Sequence, residues 1–182
     1  MTSSHARTPR VFAGVADLAD SVGEHLGHSG PHRVGHTEIR AFAEATGDRQ
    51  WIHVDQERAA AGPYRTTVAH GYYLLAIMPA MLAEVFQVNG VGAVINTGVD
   101  QLRFHHPVPA GSMLTVAARL AAARTRRRGV AEMSVDVEVF VEGQPEPVCT
   151  AVVHSMVRPS AGGPTGESDQ DRETVAQRAG SR

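Results

Sequence analysis

The feature of this chain that most limits its fold is a nearly uninterrupted apolar segment at residues 72–86. The sequence of this segment, YYLLAIMPAMLAEVF, presents apolar side chains on nearly every face of a helix. Such a pattern predicts a helix that is buried all round and that Pro79 bends. The segment is too short to span a bilayer, which takes about 20 apolar residues. Other parts of the same fold must therefore cover it.

The second half of the chain predicts the strands that provide this cover. Residues 133–141 alternate valines with polar residues, which is typical of a strand with one buried face. Two neighbouring strands are predicted for this strand, at residues 112–123 and 148–157. A fourth strand, which Gly98 breaks, is predicted at residues 93–104. Helices followed by four strands predict an α+β fold, with a curved antiparallel sheet wrapped around the apolar helix.

The first half predicts two further helices and an irregular segment between them. The segment HTEIRAFAEATGD, residues 36–48, carries Ile39, Phe42 and Ala43 at helical spacing, with Thr37 placed as the N-cap and Gly47 placed to end the helix in the left-handed conformation. A polar segment, DRQWIHVD, follows, and Asp55 is the natural cap of a short helix that runs to Ala61. We therefore expect the polar side chains of this segment to lie on a short irregular connection, the elbow, between two helices.

Length and composition restrict the organisation and the class of function. The chain has 182 residues, and we expect one domain at residues 11–158 between disordered tails at 1–10 and 159–182. A formal net charge of −2 argues against binding to nucleic acid. All 17 basic residues are arginine, which excludes lysine chemistry. One cysteine and no apolar leader predict a soluble, cytoplasmic protein without disulfides or membrane attachment.

Two blocks of sequence carry a resemblance to a known family. The first is Gly47-Asp48, followed by an apolar residue and His53, an alanine-rich turn and then His70-Gly71. The second, INTGVDQLRFHHPVPAGSML, is a strand that ends in Arg-Phe and is followed by Pro-Val and a glycine turn. Both resemble the MaoC-like dehydratases, which are (R)-specific enoyl-CoA hydratases with the hot-dog fold. The variant GDRQWIH is most similar to the nodulation-protein-N-like branch of that family.

This resemblance implies a function and a set of site residues. The implied reaction is the reversible syn addition of water to a trans-2-enoyl thioester, with Asp48 and His53 as the catalytic pair and the Gly71 N–H as the oxyanion donor. The resemblance also implies substrate contacts, at His70, Tyr72, Gln50 and Asn96. It implies no metal and no cofactor, because CoA or the phosphopantetheine of a carrier protein arrives as part of the substrate. Relatives with this fold pair into homodimers, so we expect a homodimer.

The residue types agree with the implied chemistry. Hydration of an enoyl thioester needs a base for water, an acid for the α-carbon and stabilisation of the enolate oxygen. Asp48 and His53 are suited to hold one water, although the sequence does not decide which of them is the base. Gly71 begins the apolar helix, where its N–H is free and a missing side chain lets a carbonyl approach.

Alternative functions remain open at this point. The same fold is compatible with a thioesterase, for which Glu84 is the only acid on the apolar helix, and with an acyl-binding protein that has no activity. The spaced residues His25, His28, His32 and His36 are compatible with a metal site, but glycines and a proline between them favour a solvated loop.

Overall fold

A computed structural model gives the fold of residues 8–160, without the side chain of Arg128. In the first half, the elements are β1 (Arg10–Phe12), α1 (Val15–Asp20), β2 (His25–His28), β3 (His32–Arg33), α2 (His36–Thr46), α3 (Trp51–Val54), α4 (Gln56–Ala61) and α5 (Gly71–Val85). In the second half, they are β4 (Phe86–Val88), β5 (Val91–Phe104), β6 (Met113–Thr125), a 3₁₀ turn (Arg127–Gly129), β7 (Ala131–Val141) and β8 (Cys149–Pro159). No helix in this part of the chain is long and apolar enough to cross a membrane.

The main sheet has six strands that pair antiparallel in the order β2-β6-β7-β8-β5, with β3 also paired to β6. The α+β class and the antiparallel sheet are therefore confirmed. A short turn joins β6 to β7, because their register pairs Leu114 with Val141 and Thr125 with Ala131. A separate two-stranded parallel sheet is formed by β1, the first strand of the chain, and β4, which directly follows α5.

The inner face of the sheet and one side of α5 form the core. The alternation in β7 buries Val135, Val137 and Val139 almost completely, as the valine pattern predicted. Met78 and Met81 of α5 are fully buried in the same cluster. Burial of a side chain of this size contributes about 1.5–3 kcal/mol. The packing of α5 against the inner face of the sheet therefore makes a large contribution to the stability of the fold.

The opposite side of α5 is uncovered, and the prediction of a helix buried all round is wrong for a single chain. Tyr72, Ala76, Pro79, Ala80 and Ala83 are exposed. The physical reason is that the sheet packs against only one side of the helix. Pro79 lies inside the helix on this exposed side, and the bend expected there stays a prediction.

The start of α2 also differs from the prediction. The helix begins at His36 after Gly35, rather than after Thr37. The Glu38 carboxylate accepts a hydrogen bond from the Gly35 N–H at 3.0 Å and so closes the first turn two residues earlier. The predicted end is confirmed, because Gly47 is left-handed (φ 80°) and its N–H bonds the Ala43 carbonyl.

Two further expectations about strands need correction. Gly98 does not break the fourth strand, because β5 continues through it with register shifts on either side. The histidine-rich segment is only partly a loop, since β2 and β3 pair with β6 through His25, His28 and His32. Glycines in this segment obscure the strand alternation in the sequence, but backbone pairing with β6 does not require that alternation.

The domain boundaries 11–158 stay a prediction. Arg10 and Pro159, which those boundaries assign to the tails, lie in β1 and β8. Most of the two predicted tails, residues 1–7 and 161–182, lies outside the described residues.

Candidate active site

Asp48 lies on the irregular elbow after α2. Its place follows from the left-handed Gly47, which ends the helix and turns the chain towards α3. The Asp48 side chain is about half exposed, with a relative accessibility of 46%. A carboxylate at this position keeps contact with solvent while it faces the residues that follow.

His53 lies in the short helix α3, and its side chain is buried. Its Nδ1 is 2.7 Å from the Val68 carbonyl oxygen. A carbonyl oxygen only accepts, so Nδ1 carries the proton and Nε2 offers a lone pair. The Val68 N–H in turn bonds the Ile52 carbonyl at 2.9 Å, so the chain before α5 is tied to α3 at two points.

His70, the residue before α5, joins the other two. Its ring stacks on the ring of His53, with centroids 3.7 Å apart and planes inclined by 22°. Its Nε2 is 2.9 Å from the main-chain oxygen of Asp48 and 4.0 Å from the Asp48 Oδ2. One nitrogen of each imidazole and a carboxylate oxygen of Asp48 lie within 4.8 Å of one another. Sequence positions 48, 53 and 70 thus form one cluster.

Burial and hydrogen bonding set the charge of His53. Desolvation lowers its pKa below the usual 6.5, and the nearby His70 lowers it further. The bond to the Val68 carbonyl and the negative charge of Asp48 raise the pKa again, but they do not cancel the effect of burial. At neutral pH, His53 is therefore an uncharged imidazole that can accept a proton.

Gly71 begins α5 beside this cluster. As the first residue of the helix, its N–H has no intrahelical acceptor and lies at the positive end of the helix dipole. A Cβ at this position would lie 2.8 Å from the Phe104 ring, so a side chain would displace that ring. The glycine is therefore required by Phe104 as well as by any group that approaches the N–H.

The other predicted substrate contacts are more dispersed. Tyr72 is exposed and meets the Phe104 ring edge to face, with centroids 5.9 Å apart. Gln50 is exposed and precedes α3. Asn96 lines a separate cavity of about 470 Å³ between the second half of α5 and strands β5, β7 and β8. The structure thus brings His70 and Gly71 to the catalytic pair but places Asn96 elsewhere, and all four substrate contacts stay predictions.

Two aromatic residues, Phe42 and Tyr73, lie beside the cluster, and the sequence did not single out Phe42 as a site residue. Phe42 packs against His70 at 5.1 Å and against Tyr73 at 5.6 Å. Burial and the negative charge of Glu38 raise the pKa of Tyr73. The helical spacing of Phe42 predicted only a buried position, and no short motif marks it as a neighbour of the site.

The cluster contains residue types that bind transition metals, and among residues 8–160 it is the one group of this kind. The rings of His53 and His70 are nearly parallel, and one nitrogen of each lies at hydrogen-bond distance from a main-chain carbonyl, which leaves one nitrogen of each ring as a candidate ligand. Most of the other histidines make separate contacts. Glu84 holds His32 at 2.8 Å, Thr67 is 2.9 Å from His36, and the rings of His25 and His28 are 4.9 Å apart with planes inclined by 43°.

Comparison with known protein families and curated sequences finds relatives over most of the chain. The family model described as MaoC like domain matches residues 17–142. The 3-hydroxyacyl-thioester dehydratase Z of Mycobacterium tuberculosis (strain ATCC 25618 / H37Rv) is 44% identical over 149 residues, which cover 82% of this chain and 97% of that protein. Nodulation protein N of Rhizobium meliloti (strain 1021) is 36% identical over 141 residues, which cover 75% and 86%.

Solved structures share the fold. The unliganded R-hydratase from Pseudomonas aeruginosa superposes with a TM-score of 0.63 at 24% identity, over 82% of this chain and 88% of that one. The (R)-hydratase from A. caviae gives a TM-score of 0.58 at 22% identity, over 76% and 96%.

Proposed function

Since this chain belongs to the MaoC-like dehydratase family, as the two sequence blocks predicted, we propose that it is an (R)-specific enoyl-thioester hydratase, or 3-hydroxyacyl-thioester dehydratase. The observation that carries the proposal is the convergence of Asp48 and His53 beside the start of α5. Two atoms that each bond the same water at about 2.8 Å lie roughly 4.5 Å apart. The limit of 4.8 Å within the cluster fits this arrangement.

The reaction uses the pair as a proton exchanger. In hydration, the water oxygen bonds to Cβ of the enoyl thioester while a proton passes from that water to the pair. The pair then returns a proton to Cα, so it is regenerated and the sum is addition of one water. Because both new bonds form on the side that faces the pair, the addition is syn. The Gly71 N–H stabilises the negative charge that develops on the thioester oxygen.

The acyl chain has a path along the exposed side of α5. From Gly71 to Pro79, where the 470 Å³ cavity begins, the helix rises about 12 Å. Most of the cavity wall is apolar, and its volume lies in the range of ligand pockets. Four more buried methylenes contribute at most about 3 kcal/mol. We therefore expect octenoyl-CoA to have a kcat/KM higher than crotonyl-CoA, by up to about 100-fold.

A homodimer completes this proposal. Within residues 8–160, β5 has a strand neighbour on one side only, and Val94 and Ile95 of this strand are exposed. An exposed apolar edge strand beside an uncovered helix face favours pairing with a second copy. Light scattering at micromolar concentration should give twice the mass of the chain. The mass of a single chain would contradict this part of the proposal.

The remaining parts of the proposal concern cofactors and surroundings. The reaction needs no metal or redox cofactor, because the thioester itself acidifies the α-proton. We place the protein in the cytoplasm, with the acyl thioester as its partner and without nucleic acid or membrane. The thioesterase alternative has little support, because Glu84 is held by His32 and the Gly30 N–H at the far end of α5.

One assay separates the three functions. The conjugated enoyl thioester absorbs in the ultraviolet, and a thiol reagent detects free CoA. Loss of the band without free thiol is the result expected of a hydratase. Free thiol would identify a thioesterase, and binding without either change would identify an acyl-binding protein; both would contradict the proposal.

A further inference from the structure

His70 lies between the two members of the catalytic pair and contacts both. It is 3% exposed, and the hydrogen bond and the ion pair given for its side chain are both with Asp48. We propose that His70 is a positioning residue that holds the main chain of Asp48 through its N–H and holds the ring plane of His53 through stacking. This inference rests on the proposed hydratase function.

The contact with Asp48 restrains a segment that has little regular structure. Residues 47–50 lie in neither helix nor strand, and Asp48 is on the exposed side of the site. The Asp48 N–H makes a long bond of 3.4 Å to Thr46 Oγ1, whereas its carbonyl accepts from His70 Nε2 at 2.9 Å. The bond from His70 is thus the shorter of the two and anchors the elbow to the start of α5.

The contact with His53 supplies a restraint that its hydrogen bond lacks. The bond from Nδ1 to the Val68 carbonyl restrains one edge of the ring, which the Cβ–Cγ bond joins to the main chain. Stacking at 3.7 Å on His70 fixes the plane and thereby the direction of the Nε2 lone pair. A general base needs this direction, because proton transfer requires a nearly linear approach to the lone pair.

His70 is itself suited to hold and not to exchange protons. Its Nε2 faces a carbonyl oxygen, which only accepts, so Nε2 carries the proton. Its Nδ1 is buried with no hydrogen-bond partner among the described residues. The ring therefore acts through its two neighbours, Asp48 and His53.

Two substitutions separate the two contacts. His70→Phe keeps a stacking ring and removes the donor to Asp48. His70→Gln keeps a donor and removes the ring. Small displacements of reacting groups reduce rates by up to about 100-fold, so we expect kcat to fall 10- to 100-fold in each variant while KM changes less than threefold. His154→Gln, on the outer face of the sheet, is the matched control and should leave kcat unchanged.

The tautomer of His53 is a property that a general loss of stability would not change. Imidazole ¹⁵N NMR of the free protein should show the Nδ1–H tautomer of His53 in the wild type. In His70→Gln, we expect exchange between tautomers or a displaced signal, and the acid limb of kcat/KM should move to higher pH. Thermal unfolding confirms that the variants are folded.

The outcomes decide the inference separately from the function. Lower kcat with unchanged KM and an altered His53 signal supports it. A normal kcat in both variants, an increase in KM alone, or an unchanged His53 signal and acid limb in His70→Gln would overturn it. If the wild type hydrates no enoyl thioester, the proposed function fails. The NMR comparison then still decides whether His70 orients His53.

Discussion

The proposal that Asp48 and His53 hold one water predicts that the two side chains contribute to the rate as one unit. We consider Asp48→Asn, which keeps the shape and hydrogen-bonding capacity of the side chain but removes its charge, and His53→Gln, which removes the imidazole base. A positioned acid or base contributes about 10²- to 10⁴-fold to the rate, which corresponds to about 2.7–5.5 kcal/mol of activation free energy. Each single variant should therefore lose this much in kcat.

The double variant tests the geometry more sharply than either single one. If the two side chains acted independently, their losses would multiply to about 10⁴- to 10⁸-fold. If both hold the same water within the 4.8 Å cluster, the first substitution already removes that water, and the double variant should be at most about tenfold slower than the slower single one. KM should change little, because the thioester carbonyl and the acyl chain are bound elsewhere.

The assay is the initial rate of loss of enoyl absorbance with octenoyl-CoA, under saturating conditions for kcat. Asp20→Asn, at the exposed end of α1, is the matched carboxylate-to-amide control and should keep the wild-type rate. Multiplicative losses would refute the shared water. An Asp48→Asn variant that keeps more than half of the wild-type kcat on every enoyl-CoA would refute the assigned site.

Three other perturbations test the surroundings of the site. Burial lowers the pKa of His53, so between that lowered pKa and the ordinary value of 6.5 the unfolded chain binds a proton that the folded chain does not. In this window, urea unfolding should show that wild-type stability decreases as the pH is lowered, by up to about 1.4 kcal/mol per pH unit more than that of His53→Gln, and equal slopes would contradict this. Gly71→Ala places a Cβ 2.8 Å from the Phe104 ring and should lower the free energy of unfolding by about 1–3 kcal/mol. The control Gly14→Ala, whose Cβ would meet nothing within 4 Å, should lower it by less than about 0.5 kcal/mol, and equal effects of the two substitutions would contradict this prediction. Burial raises the pKa of Cys149 to about 11, so a thiol reagent at pH 7.5 should react with it only after denaturation, and rapid reaction in the folded state would contradict its burial.

The elements that the sequence predicted well are those whose signals are local. Gly47 ends α2 because a left-handed residue is needed there, and Asp55 caps α4 by accepting from the Arg58 N–H at 3.0 Å. The valines of β7 face the core because a strand alternates its side chains. Each of these outcomes depends on a few neighbouring residues, so the sequence around them contains the necessary information.

The errors concern interactions between distant parts of the chain. Thr37 is as good a cap by residue type as any, but Glu38 closes the turn onto Gly35 and moves the start of α2. The composition of α5 predicted burial on all sides, although the sheet covers one side and leaves Ala76 and Ala80 exposed. An apolar surface indicates that something covers it, but its sequence does not indicate whether the cover comes from the same chain.

The site itself shows the same division between local and distant information. The family resemblance identified positions 48, 53, 70 and 71, and it implied that His70 contacts the substrate. Its stacking on His53 and its bond to the Asp48 carbonyl depend on how the segment before α5 folds back over α3, through the contacts of Val68 with His53 and Ile52. Those contacts join residues 15 to 22 positions apart that share no periodicity. A motif records residue types, whereas the orientations that we propose for a base and for the residue that positions it arise only when the chain folds back on itself.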